Sequence, residues 1–234
     1  MTPITPRHAG IGSALDHNAS MTALPASPAA DRNKQPILET LQRVLPDRGM
    51  ALEIASGTGQ HATWFAAGLP GWQWQPTDMQ ASAMATIAAW TEQSGVGNVL
   101  PPMRLDVTSA QWPDESDLFG EAFGETFDAV YCANMLHIAP WEACAGLMQG
   151  ASRVLTPDGV LVTYGPYFED GVPTSPGNLA FDESLRNTHP EWGIRQLAAV
   201  AAEAQRAGLT LRERHAMPAN NLLLVWCREP PATA

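Results

Sequence analysis

The chain predicts an α/β fold: a Rossmann-like, seven-stranded, mostly parallel sheet with helices on both faces and an antiparallel C-terminal strand. Three observations lead there. The stretch Leu52-Glu53-Ile54-Ala55-Ser56-Gly57-Thr58-Gly59-Gln60-His61-Ala62 reads as a buried strand, a glycine turn and the start of a helix. Strand-like and helix-like segments then alternate along most of the chain, which calls for parallel strands joined by crossover helices. The last two strand-like runs are joined only by Met217-Pro218-Ala219-Asn220, too short for a crossover helix, so they should pair antiparallel.

Taken in order, residues 1–30 are rich in Thr, Pro, Ala, Ser and Gly without periodicity. They read as a flexible N-terminal arm, either plainly disordered or a lid that orders over a ligand. Helical spacing begins at Asn33, with Pro36 in a first turn and Ile37, Leu38, Leu41, Val44 and Leu45 on one face. Residues 50–55 form a short apolar strand, and residues 60–67 a helix ended by Gly68. A second strand covers residues 72–75 and is closed by Pro76-Thr77-Asp78. A helix follows over residues 80–91. Residues 98–105 hold a third strand whose start Pro101 and Pro102 confine to an edge or bulge.

Residues 107–125 are irregular and acidic. Residues 127–133 are nearly all apolar, as in a strand covered on both faces. Residues 140–154 make an amphipathic helix with Trp141, Cys144, Leu147, Met148 and Ala151 inward. Thr156-Pro157-Asp158-Gly159 is a turn, and residues 160–164 a fifth strand. Residues 165–193 form a loop-rich insertion of the kind that carries substrate contacts. Residues 194–207 are a helix capped by Gly208, and residues 209–215 and 221–227 are the closing strands. Residues 31–230 thus form one domain after the arm.

Composition narrows the function. The 234 residues carry 13 Lys plus Arg against 24 Asp plus Glu, a net charge of −11. Such a chain repels phosphate backbones and anionic headgroups, so neither nucleic acid nor membrane is an expected partner. The same acidity favours an uncharged or cationic acceptor. Three cysteines without a C-x-x-C pair fit a reducing cytoplasm rather than a disulfide framework. The histidines have no metal-ligand spacing, so no metal is expected. Oligomeric state is not written in the sequence.

Ligands of open α/β sheets sit beyond the carboxyl ends of the strands. Those ends deliver Gly57 and Gly59, then Asp78 with Met79, then Asp106 with Val107, then Asn134, Met135 and His137, then Tyr164. The glycines permit a tight turn and close backbone approach. Asp78, 21 residues after Gly57, is placed to accept from ribose hydroxyls. Asp106 is placed to accept from an adenine amino group. Gly57-Thr58-Gly59-Gln60-His61-Ala62 also fits a dinucleotide fingerprint. Against it, Glu53 would repel a pyrophosphate but welcome an ammonium group, a second acid ends strand three, and seven strands exceed the usual six. The cofactor these features favour is S-adenosyl-L-methionine.

The chain resembles the class I S-adenosylmethionine-dependent methyltransferases, and more closely the methyltransferase-like protein 26 family, over about residues 31–228. The stretches that carry the resemblance include Arg32-Asn33-Lys34-Gln35-Pro36-Ile37-Leu38 and the glycine segment from Leu52 to His61. Further on they include Cys132-Ala133-Asn134-Met135-Leu136-His137-Ile138, Tyr164-Gly165-Pro166-Tyr167 and Met217-Pro218-Ala219-Asn220-Asn221. Asn178, Phe181-Asp182, Ser184-Leu185-Arg186 and Glu191-Trp192-Gly193-Ile194-Arg195 also match. The resemblance implies that Glu53 or nearby backbone holds the methionine amino group. It implies that Gly57 and Gly59, with Ala55 and His61 close by, line the cofactor. Asp78 and Met79 would then take the ribose, Asp106 and Val107 the adenine, and Asn134 and Met135 the methionine moiety. It supplies no catalytic base.

A methyl donor of this kind needs an aligned acceptor and excluded water, and a base where the acceptor has a high pKa. His137 and Tyr164 are the candidate catalytic groups. Asn33, His137, Tyr164, Tyr167, Asp182, Arg186, Trp192 and Asn220 are the candidate acceptor contacts. The expected reaction moves a methyl group to O, N or S of a small-molecule acceptor. The alternatives are a peptide or protein acceptor, an NAD-dependent oxidoreductase, and a non-catalytic cofactor-binding module.

Overall fold

A computed structural model describes residues 23–112 and 126–228. Most of the expected arm and most of the acidic stretch before residue 126 lie outside those residues.

The elements run α1 (Pro28–Val44), β1 (Gly49–Ile54), α2 (Gln60–Gly68), β2 (Trp72–Asp78), α3 (Ala81–Ser94) and β3 (Met103–Arg104). They continue with β4 (Phe127–Ala133), α4 (Glu142–Val154), β5 (Leu155–Phe168), α5 (Pro176–Thr188), β6 (Arg195–Gln196), α6 (Leu197–Arg206), β7 (Leu209–Met217) and β8 (Asn221–Arg228). A 3-10 turn, Pro218–Asn220, joins the last two strands. The sheet order is β3-β2-β1-β4-β5-β8-β7, and the two-residue β6 pairs beside β5. β1 to β5 are parallel, whereas β8 is antiparallel to both β5 and β7. The fold class is the one the sequence predicts, with an eighth short strand that the alternation rule could not see. The strand order reverses between β1 and β4, so the crevice lies at their carboxyl ends.

Alternation along the strands divides the core into two layers. Ala51, Tyr131, Val162 and Leu223 face α1 and α2, together with Phe65 and Trp74. Leu52, Val130, Leu161 and Leu224 face α4 and α6, with Leu147, Met148, Val200 and Ala204. Each of these is almost wholly removed from water, worth roughly 1.5–3 kcal/mol per large side chain.

Several boundaries differ from the sequence reading, each for a local reason. Helix α1 starts at Pro28, not near Asn33, because Ser27 caps it: the Ser27 hydroxyl accepts from the Ala30 amide at 3.3 Å, and Pro28 sits in the first turn. Pro36 therefore lies inside the helix. Strand β2 runs on through Pro76, whose Cα pairs with that of Glu53. Thr156–Gly159 loops out of the sheet between the Phe127–Leu155 and Ala129–Val160 pairings, so the expected turn is a bulge within β5. The insertion is not mainly loop. Strand β5 extends to Phe168, and α5 is capped by Ser175 with Pro176 following.

Candidate functional site

The glycine loop leaves β1 through a run of left-handed residues: Ala55 at φ 56°, Gly57 at 58° and Gly59 at 85°. The two glycines serve different ends. A Cβ on Gly59 would stand 3.0 Å from the Ile87 Cα, so its bareness lets α3 close on the loop. A Cβ on Gly57 would meet nothing within 4 Å. It faces open cleft, where bare backbone can approach a ligand. Gly59→Ala is thus expected to destabilise by ~1–3 kcal/mol, from left-handed strain and the forced retreat of α3. Gly57→Ala meets the strain alone and costs less. Urea denaturation of both variants checks the order.

Asp78 ends β2 and is held by two backbone amides, Gly57 N–H to Oδ2 at 3.0 Å and Gln80 N–H to Oδ1 at 2.9 Å. Each oxygen keeps a second lone pair for a ligand. Met79 beside it is 53% exposed, a large apolar side chain left facing water. Asp106 accepts from the Thr108 amide and hydroxyl at 2.9 and 2.7 Å through Oδ1. Val107 is buried beside it in the α4 layer. Asn134 follows β4 at φ 61°, fixed by its amide donating to the Tyr164 carbonyl at 2.8 Å. Met135 is half-buried against the α4 layer.

Beyond Asn134 the crevice opens into a cavity of about 750 Å³. Its walls come from the start of α1 (Arg32, Asn33), the end of β4 (Asn134, His137) and β5 (Tyr164). Helix α5 adds Asn178 and Phe181, and the β7–β8 turn adds Ala219. His137 is buried, meets the Phe181 ring edge-on at 5.3 Å, and makes no ring hydrogen bond among the described residues. Burial first, and the Arg195 charge second, push its pKa down to about 4, so it is neutral near pH 7. The bare Gly165 lies below it: a Cβ there would be 3.5 Å from His137 Nδ1 and 3.8 Å from Asn134 Oδ1. Burial raises the Tyr164 phenol against the opposing Asn33 amide and Arg32 charge, which makes Tyr164 a hydrogen-bond donor rather than a base.

Four expected site residues stand elsewhere. Glu53 is 2% exposed, and its Oε2 accepts from the Trp74 indole at 2.5 Å. It lies in the α1–α2 layer, not on the cleft. Burial pushes its pKa up to about 8. His61 is buried with both ring nitrogens engaged, Nε2 with Asn33 Oδ1 at 2.7 Å and Nδ1 with the Tyr131 hydroxyl at 3.4 Å. Tyr167 is three residues from Tyr164 and so points to the opposite face, where it donates to Thr163 at 3.0 Å. Trp192 stacks on His189 at 5.5 Å, apart from the cavity wall.

Asp182, Arg186 and Asn220 brace the wall instead of lining it. Asp182 accepts from Arg186 at 2.8 Å and from the Ile194 amide at 2.7 Å. Asn220 accepts from the Ser175 amide at 3.1 Å and, through its carbonyl, from Asn178 at 2.9 Å, which ties α5 to the β7–β8 turn. The residues the sequence reading missed are Arg32, Asn178 and Phe181. Helical spacing of Asn178 and Phe181 with the buried Leu185 was the available signal once α5 is seen as a helix.

The three buried groups set a pH window for stability. Glu53 keeps its proton up to about pH 8 when folded but only to 4.5 unfolded, so its contribution is lost as pH rises from 4.5 through 8. His61 and His137 protonate near 4 folded and near 6.5 unfolded, so theirs is lost as pH falls from 6.5 through 4. Two groups outweigh one below pH 6.5, and Glu53 acts alone above it. Stability should peak near pH 6.5, and Glu53→Gln should flatten the alkaline side; melting temperatures across pH 4.5–8 check both.

Cys132 and Cys144 are buried, and burial raises both thiols, so neither supplies a thiolate nucleophile. Among the described residues no His, Cys, Asp and Glu cluster could hold a metal ion. None of their helices is long and apolar enough to cross a membrane.

Solved structures share this architecture at low identity. An O-methyltransferase family protein from Burkholderia thailandensis superposes with a TM-score of 0.69 at 17% identity, covering 87% of this chain and 58% of that one. CalO1, a methyltransferase in calicheamicin biosynthesis solved in its SAH-bound form, gives 0.65 at 16% identity, covering 84% and 54%. An O-methyltransferase family 2 protein from Planctomyces limnophilus, solved in complex with apigenin, gives 0.66 at 16%, covering 84% and 62%. The likeness is one of fold, and this chain spans little more than half the length of those proteins. The family described as "Protein of unknown function (DUF938)" matches residues 24–228. The chain belongs to the DUF938 family.

Proposed function

We propose that this protein is an S-adenosyl-L-methionine-dependent methyltransferase acting on a small molecule. The observation that carries the reading is one crevice with two unlike halves that meet at Asn134. On one side lies a bare glycine loop with Asp78 and Asp106 at the neighbouring strand ends. On the other lies a separate cavity of about 750 Å³, the scale of a small-molecule site. The fold neighbours and the resemblance to the methyltransferase-like protein 26 family support it.

The residues present fit the cofactor. Gly57 offers bare backbone to the methionine end, Asp78 accepts from the ribose, Met79 covers an apolar face, and Asp106 accepts from the adenine amino group. With Glu53 turned into the core, the amino group falls to backbone near Ala55 and Gly57. When bound, the cofactor supplies a methyl group already activated by its sulfonium.

Phe181 and Tyr164 wall the acceptor and exclude water beside His137. The neutral His137 imidazole takes the acceptor's proton as the new bond to carbon forms. A hydroxyl becomes far more acidic as its oxygen attacks, so a base of pKa about 4 suffices. Tyr164 donates a hydrogen bond to orient the acceptor. Residues 31–230 form the catalytic domain in this reading and residues 165–193 its acceptor wall, while the arm or lid expected over residues 1–30 lies mostly outside the described residues and runs into α1 at Pro28. Three free cysteines fit a cytoplasmic protein.

The test is incubation with methyl-labelled S-adenosylmethionine and a fractionated pool of small metabolites. Label in a small organic product is the expected result. Label confined to protein or peptide fractions would favour a macromolecular acceptor instead.

A further inference from the structure

The cavity carries a charge preference opposite to that of the chain around it. Among the described residues on its walls, Arg32 alone is formally charged near pH 7, since His137 is neutral there and no carboxylate is among them. Three acids on neighbouring elements are already engaged, and Glu183 of α5 is exposed to solvent. Asp31 accepts from Lys34 at 2.7 Å and Gln60 at 3.0 Å, Glu169 is held by Arg214 at 2.7 Å, and Asp182 by Arg186 at 2.8 Å. Arg32 itself has no ion pair or hydrogen bond among the described residues. It lines the same cavity as Tyr164, and its charge opposes the burial that raises the phenol.

The neighbouring groups are donors too. Asn33 spends its side-chain oxygen on His61, at 2.7 Å, and its amide N–H bears on the Tyr164 phenol, so what it offers on this wall is donors. The Tyr164 phenol holds its proton. Guanidinium, amide N–H and phenol O–H together present donors, the complement of a carboxylate, while the side-chain oxygens of Asn178 and Asn221 are acceptors elsewhere on the walls. The walls also carry apolar groups: Phe181 at 40% exposed and Ile138 at 44% exposed.

Resting on the reading of this cavity as the acceptor site, we infer that the acceptor is an organic acid. It has an apolar, ring-sized body against Phe181 and Ile138, a carboxylate held by Arg32 and Asn33, and its nucleophilic atom at His137. Overall acidity had pointed to an uncharged or cationic acceptor, and the local donor set reverses that expectation. The carboxylate belongs to the acceptor and not to the cofactor, because none of Gly57, Gly59, Asp78, Met79 or Asp106 borders this cavity.

The test uses matched probes on the full chain: 4-hydroxyphenylacetate against 4-hydroxyphenylacetamide, salicylate against salicylamide, and indole-3-acetate against its amide. Binding is read by calorimetry with S-adenosylhomocysteine present and again without it. At least one acid should bind tenfold more tightly than its amide. Arg32→Ala should abolish the preference and Arg32→Glu reverse it, with melting temperatures showing both variants folded. Equal binding within every pair, a preference that survives Arg32→Ala, or no binding by any probe overturns the inference. So does a loss of more than threefold in S-adenosylhomocysteine affinity in Arg32→Ala, which would assign the guanidinium to the cofactor. Failure of S-adenosylhomocysteine to bind the unaltered protein sinks the methyltransferase reading, while the acid preference is still read from the ligand-free series.

Discussion

His137→Asn is expected to lower kcat by about 10²–10⁴-fold, the range for loss of a positioned general base. Cofactor affinity should stay within twofold, because His137 stands on the cavity side of Asn134. Geometry comes first: a buried imidazole with no hydrogen-bonded partner among the described residues faces the cavity proposed for the acceptor. Electrostatics comes second. Burial and Arg195 hold the ring neutral, so it can accept a proton at every pH above about 4. kcat/KM should therefore show its acidic limb near pH 4 rather than at the ordinary histidine value, and His137→Asn should remove that limb. Single-turnover rates across pH 4–8, with circular dichroism to confirm the fold, decide it. An unchanged rate in the variant would assign the base role elsewhere or to none.

Asp78→Ala carries the second large effect. Its carboxylate both accepts from the proposed ribose hydroxyls and fixes the glycine loop through the Gly57 amide at 3.0 Å. Loss of hydrogen bonds to a charged group costs roughly 1.5–3 kcal/mol, so cofactor affinity should fall about 10–150-fold. Asp78→Asn separates the two roles: one oxygen remains for Gly57, and the charge is gone. A similar loss in both variants assigns the effect to the ligand. A loss in alanine alone assigns it to the loop. Unchanged affinity in a folded Asp78→Ala protein would remove Asp78 from the cofactor site.

The glycine-loop half of the crevice was legible because its information is local. Gly57, Gly59 and Asp78 announce themselves through turn chemistry and the strand–turn–helix pattern, and the structure joins Gly57 to Asp78 by a hydrogen bond. The cavity half was not legible, because it depends on which way side chains face. Tyr164 and Tyr167 share one motif, yet only the first reaches the cavity, since period-two alternation sends them to opposite layers. Asp182 and Asn220 look functional as polar residues in an insertion and a turn, but their hydrogen bonds hold that wall together. Arg32 sat in the resembling stretch without a role, because the sequence does not show that α1 begins early enough to bring it onto the cavity that Tyr164 also lines. Glu53 misled for a related reason. An acid four residues before a glycine turn suggests a ligand contact, but its register in β1 turns it toward Trp74.

The measurement that bears most directly on the central claim is a parallel calorimetric titration of the full chain with S-adenosylmethionine, S-adenosylhomocysteine and NAD. Micromolar binding of the first two, with none for NAD, is the predicted result. NAD binding alone would contradict it and make a dinucleotide-dependent oxidoreductase the working account of the glycine loop.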